Sequence, residues 1–120
     1  MAADKKYTTF RSFYNYYLTE HADSKNRMFH FIGTAFLLIC FITGIITGKW
    51  WVFTLIPLLG YGFAWVGHFF IEKNRPATFT YPVYSLAGDF FMFWHMITGR
   101  INKKLTAAKY AEKNIIENGR

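Results

Sequence analysis

The chain has 120 residues, enough for one small domain. Aromatic residues make up 22% of it (14 Phe, 8 Tyr and 4 Trp), and 14 Lys plus Arg against 7 Asp plus Glu give a formal charge of +7. No nucleic-acid-binding motif accompanies that charge, so no nucleic acid partner is expected. A single cysteine, Cys40, excludes an internal disulfide and a cysteine-based zinc site, and reads as a packing residue.

Residues 1–6 read as a disordered lead, and no cleavable signal peptide is expected, because the apolar run starts too late. Tyr7, Phe10, Phe13, Tyr14, Tyr17, Leu18 and His21 recur at three- and four-residue steps, one face of an amphipathic helix. Such a tyrosine-rich face suits either the headgroup layer of a membrane or a packing surface in a soluble fold. Ala22 to Arg27 is polar and turn-like, with Asp23 or Ser24 as the cap of the first long apolar helix. Met28 to Gly48 and Trp50 to Ile71 are uncharged stretches separated by Lys49. Each has the ~20 mainly apolar residues that a bilayer-crossing helix needs. Pro57 predicts a kink in the second, and Gly60, Gly62, Ala64 and Gly67 give it a small-residue face. Glu72 to Pro76 is polar again, and Pro76 and Pro82 bracket an irregular stretch, Ala77 to Tyr81. Val83 to Gly99 is apolar but contains Asp89 and His95, with Val83, Leu86, Phe90, Phe93, Trp94 and Ile97 on a helical face. From Arg100 a short exposed helix with a frayed tail is expected, residues 112–120 being flexible.

The predicted fold is therefore all-α: a two-span membrane hairpin, an amphipathic N-terminal helix, and a third helix that is interfacial, re-entrant or spanning. Five basic residues precede the first span, Lys49 occupies the hairpin turn, Lys73 and Arg75 follow the second span, and six lie from Arg100 onward. The positive-inside rule then puts both termini in the cytoplasm. Full crossing by Val83–Gly99 would translocate the last six, so an in-plane or re-entrant course costs less. His30 and His68 each lie 19 residues from Lys49, about 28 Å along a helix. A hairpin thus returns them to one membrane boundary. Imidazoles gathered there suggest a metal centre working on something dissolved in lipid, whereas a lone boundary histidine is by default an interfacial polar group.

Two blocks carry a resemblance. Glu20-His21, Asn26-Arg27 and His30-Phe31-Ile32-Gly33-Thr34 form the first; residues 60–69 (GYGFAWVGHF) with 72–79 (EKNRPATF) form the second. Together, over about residues 10–95, they resemble the Mpo1-like membrane proteins. The resemblance implies an iron(II)-dependent dioxygenase that shortens 2-hydroxy fatty acids by one carbon in fatty acid α-oxidation. It implies a place in the endoplasmic reticulum of a eukaryote or the inner membrane of a bacterium. The matched histidines are His21, His30 and His68, with Glu72 inside the second block; His95 lies beyond the motif.

Iron(II) that must meet oxygen suits two or three histidines with a carboxylate. His21, His30 and His68 are the candidate ligands and catalytic residues. Glu72 is a candidate fourth ligand or an orienter of an imidazole, or else caps the span or pairs with Lys73 or Arg75. His95 could complete an all-imidazole set, and Asp89 could orient His95 or cap its helix. Arg75, Lys73 and Arg27 are candidate anchors for a substrate carboxylate, since a guanidinium holds a carboxylate by two parallel hydrogen bonds. The acyl tail is expected along Gly60 to Gly67. The expected partners are the bilayer, a 2-hydroxy fatty acid and O2, with a homo-oligomer left open. Two rival readings stand beside this one: a non-enzymatic membrane scaffold or assembly protein, and an electron carrier whose paired histidines ligate haem.

Overall fold

A computed structural model describes residues 7–76 and 79–118. All regular structure among them is helical. The expected lead at 1–6 lies outside the described residues, as does part of the stretch expected between Pro76 and Pro82.

Helix α1 (Phe10–Thr19) starts where the Thr9 hydroxyl accepts the Ser12 N–H, satisfying a donor that the first turn leaves free. Its aromatic face turns inward, so of the two readings of that face the packing surface is the one realised. Phe13, Tyr17 and Leu18 are fully buried, together with Met92 and Ala108, in a core that α1 forms with two later helices. The rings interlock at several angles, Phe13 lying 5.0 Å from Tyr81 and Tyr7 stacked 4.9 Å from Tyr16.

Helix α2 (Ser24–Thr47) is capped by Asp23, whose carboxylate accepts the Lys25 N–H, and ends at Gly48 in the left-handed conformation. Its 24 residues span about 36 Å. The returning arm of the hairpin, Trp50–Glu72, has three parts: a 3-10 turn (Trp50–Thr54), helix α3 (Leu55–Val66) and a π turn (Gly67–Glu72). Both arms are long and apolar enough to cross a bilayer, with mean hydropathies of 2.2 and 1.4. Little of either arm is covered by protein. Ile46 is 77% exposed and Trp50 73%, as no core helix of a soluble domain would be.

Pro57 lies just after the junction where the 3-10 turn passes into α3. Helix α3 begins at Leu55, so Pro57 falls in its first turn, where a missing N–H leaves no intrahelical bond unmade. A second irregularity is the π turn, which opens at a close approach of the two arms. A Cβ on Gly67 would stand 1.8 Å from Oδ1 of the buried Asn26. Only glycine lets the two arms meet there.

Helix α4 (Pro82–Ile97) opens on proline, whose fixed φ suits the first helical position. It buries Ser85, Gly88, Met92 and His95 and turns Val83, Leu86, Phe90, Trp94 and Ile97 outward. The apolar stripe legible in the sequence is therefore its exposed face. Gly99 breaks the chain, and helix α5 (Ile101–Asn118) follows. It is neither short nor wholly exposed. It runs 18 residues, buries Leu105 and Ala108, and packs along α1, where Glu112 Oε1 accepts the Tyr7 hydroxyl at 2.6 Å.

Candidate metal centre

Three histidines from three segments meet under the core. His21 lies in the turn after α1, His30 in the second turn of α2, and His68 in the π turn. They are 0%, 5% and 1% exposed. One nitrogen from each ring lies within 4.8 Å of the others, and His21 Nε2 is 3.1 Å from His30 Nε2. The ring centroids are 4.2 to 4.9 Å apart, the planes near perpendicular.

The other nitrogen of each ring is tied to the protein. His21 Nδ1 is 2.6 Å from the Tyr17 carbonyl, His30 Nδ1 is 3.2 Å from Asp89 Oδ1, and His68 Nδ1 is 2.6 Å from Asn74 Oδ1. The Asn74 amide is itself oriented, because its Nδ2 donates to the Glu20 carbonyl at 3.1 Å. All three partners are acceptors, so each Nδ1 carries the hydrogen and each Nε2 presents a lone pair. Two lone pairs 3.1 Å apart repel unless a cation stands between or beside them. Burial, then the neighbouring His30 and His68 rings, hold His21 well below its ordinary pKa, so it does not relieve the repulsion by protonating at neutral pH.

The turn that carries His21 is locked from several sides. Arg27 donates from one guanidinium nitrogen to the His21 and Ala22 carbonyls, at 2.9 and 2.8 Å. Glu72 Oε1 accepts the Asp23 N–H at 2.6 Å and faces Asn26 Nδ2 at 3.5 Å, joining the two arms at the start of α2. Glu72 thus reaches away from the imidazoles and orients none of them. His95 does not join the cluster either; its Nδ1 is hydrogen-bonded to the Tyr14 hydroxyl at 2.6 Å. Arg75 lies over the Phe79 ring, 5.0 Å from its centroid, and Lys73 is exposed in the left-handed conformation.

Sequence reasoning missed Asn74 as the partner of His68 and Tyr17 as a bracket to His21 and Asp89. The sequence offers Asp89 as an orienter of His95 or a helix cap, whereas its carboxylate stands against His30. Asn74 lies inside the second block, six residues after His68, which was the only available signal. The Asp89 contact depends on how α4 lies across α2, and no local pattern encodes that.

A pocket of about 10 Å³ opens among the three rings, bounded also by Tyr61, Ser85 and Asp89. That is near the smallest volume that holds a single water-sized occupant. A cavity of about 190 Å³ adjoins it between α2, α3 and α4. Neither Arg75 nor Lys73 borders either space. Three convergent neutral imidazoles suit iron, zinc, copper or nickel and leave further coordination positions free. The donor set fits a divalent first-row metal.

These features define a class: a small all-helical protein with an apolar hairpin of bilayer length and a buried three-histidine pocket at its base. The chain belongs to the Mpo1-like family; the family model described as 2-hydroxy-palmitic acid dioxygenase Mpo1-like matches residues 7–101, from the lead into α1 through the end of α4. No curated protein and no solved structure matches it.

Proposed function

We propose that this protein is a membrane-embedded, iron(II)-dependent dioxygenase that removes one carbon from 2-hydroxy fatty acids. The observation that carries the reading is the convergence of three imidazoles whose Nδ1 atoms are all committed elsewhere. The family description supplies the substrate class. The balanced reaction converts R–CH(OH)–COOH and O2 to R–COOH, CO2 and water.

His21, His30 and His68 would hold the iron through Nε2. Bound iron(II) supplies activation of oxygen; the chain's own groups supply position and surroundings. Asp89 holds the Nδ1 proton of His30 and accepts the Tyr17 hydroxyl, which fixes that ring and raises its basicity. Asn74 does the same for His68 without a charge. The near-complete burial of the rings keeps water from the reacting centre.

The length and bare apolar surface of the two arms support a course of α2 and α3 across a bilayer, and the distribution of basic residues supports cytoplasmic ends. Helix α4 has only 16 residues with Asp89 in its middle, and it lies at the boundary with its outward stripe toward lipid. Haem is not favoured, because His21 and His30 nitrogens 3.1 Å apart leave no slot for a macrocycle between them.

The test is incubation of purified protein with 2-hydroxypalmitate, iron(II) and oxygen. Pentadecanoic acid should form, and His30→Ala should abolish it. Absence of the shortened acid from metal-loaded wild-type protein overturns the activity and leaves the scaffold reading.

A further inference from the structure

The two cavities share His30, Tyr61 and Asp89 in their walls, so they adjoin and form two parts of one candidate site. Its upper part is the imidazole pocket. There Ser85 contributes a buried hydroxyl, only 3% of the residue being exposed, that has no hydrogen-bond partner among the described residues. A buried hydroxyl without a partner calls for one. Its lower part descends along α2 from His30 to Leu37, seven residues or about 10 Å. Below Asp89 and Thr34 that wall is mostly apolar, and no Lys or Arg lines it. Pro57, Leu86 and Phe90 are exposed at its edge. All three are apolar and lie on faces that the hairpin and α4 leave bare. The wall at Gly60 has no side chain, and a Cβ there would stand 3.3 Å from Leu37 Cδ1.

We infer that this space is an acyl-chain site filled sideways from the lipid, with Ser85 donating its hydroxyl to the ligand's polar head and Gly60 keeping the channel open for the tail. Identifying that head as a 2-hydroxy carboxylate rests on the proposed function. Polar recognition then falls to Ser85 and the imidazole pocket, not to Arg27, Arg75 or Lys73, none of which borders the space. A tail leaving lipid for an apolar channel gains little hydrophobic free energy, so the head and the channel's shape decide what is held.

Photolabelling in lipid nanodiscs tests this without turnover. The probe is 2-hydroxypalmitate with a diazirine in mid-chain, and the labelled peptides are read by mass spectrometry. Label is expected around Leu37, Ile56 and Leu86, and is expected to fall several-fold in Gly60→Trp. Leu86→Trp, at a position 47% exposed, should lower it likewise. Label confined to outward residues such as Ile42, Leu58 and Val83, and indifferent to both substitutions, overturns the site. Against the same probe lacking its 2-hydroxyl, the preference for the hydroxy acid should shrink in Ser85→Ala; an undiminished preference overturns the role of Ser85. If the channel is labelled but iron-loaded protein yields no shortened acid, the site stands and the activity falls. If shortened acid forms while the channel stays unlabelled, the activity stands and the site falls.

Discussion

Asp89 Oδ1 stands 3.2 Å from Nδ1 of His30 and also accepts the Tyr17 hydroxyl, so one carboxylate on α4 ties α1 and α2 together beside the three-histidine cluster. Asp89→Asn keeps the shape and removes the charge. Iron(II) affinity, measured by competition with a chromogenic chelator, is expected to fall about 10- to 100-fold, the usual effect of losing such a partner. Unchanged affinity would mean that the carboxylate only braces the helices.

Gly67→Ala drives a methyl group into the Asn26 amide. The expected cost is about 1–3 kcal/mol, read as a lowered Tm, because the added carbon would stand 1.8 Å from Asn26 Oδ1. Adding Asn26→Ala removes the collision, so the double variant should lose less stability than the two single losses combined. Additive losses would place the strain elsewhere.

Arg27→Lys keeps the charge but shortens the reach and loses the fixed planar geometry with which one guanidinium nitrogen serves both carbonyls. A loss of about 1–2 kcal/mol in stability is expected, with weaker metal binding through a loosened His21. Arg75→Gln should change KM by no more than about twofold, as for a surface substitution. A large rise in KM with Arg75→Gln would restore Arg75 as the carboxylate anchor that its position after the second span suggests.

The hairpin, its turn at Gly48-Lys49 and the Asp23 cap were all legible, because hydropathy and capping are local. So was the common level of His30 and His68, which follows from equal distances to Lys49. The partner of the α1 aromatic face was not legible: periodicity defines a face but not what covers it. The π turn needed knowledge that Asn26 meets Gly67 across the two arms. The same ignorance of packing left Arg27 and Glu72 as candidates for chemistry, when both hold the base of α2. It also left His95 as a candidate ligand, when it pairs with Tyr14.

His95, outside the three-histidine cluster, adds a pH dependence of its own, read from the difference between wild type and a His95 variant. Burial first, then Lys104 and Arg100, lower its pKa below the ordinary histidine value. The unfolded chain therefore binds this proton more readily than the folded one. The stability it contributes is full above pH ~6.5 and is lost as pH falls below that value. Tm should drop on acidification from neutral pH, and His95→Gln should make the drop shallower. A steeper drop in that variant would contradict the assignment.

The most direct test of the centre is iron stoichiometry after anaerobic loading and desalting. Close to one iron per chain is expected for wild type, Glu72→Gln and His95→Gln, and almost none for His21→Ala, His30→Ala or His68→Ala with the fold checked by circular dichroism. Equal iron content in folded wild type and in all three alanine variants would contradict a centre built from His21, His30 and His68.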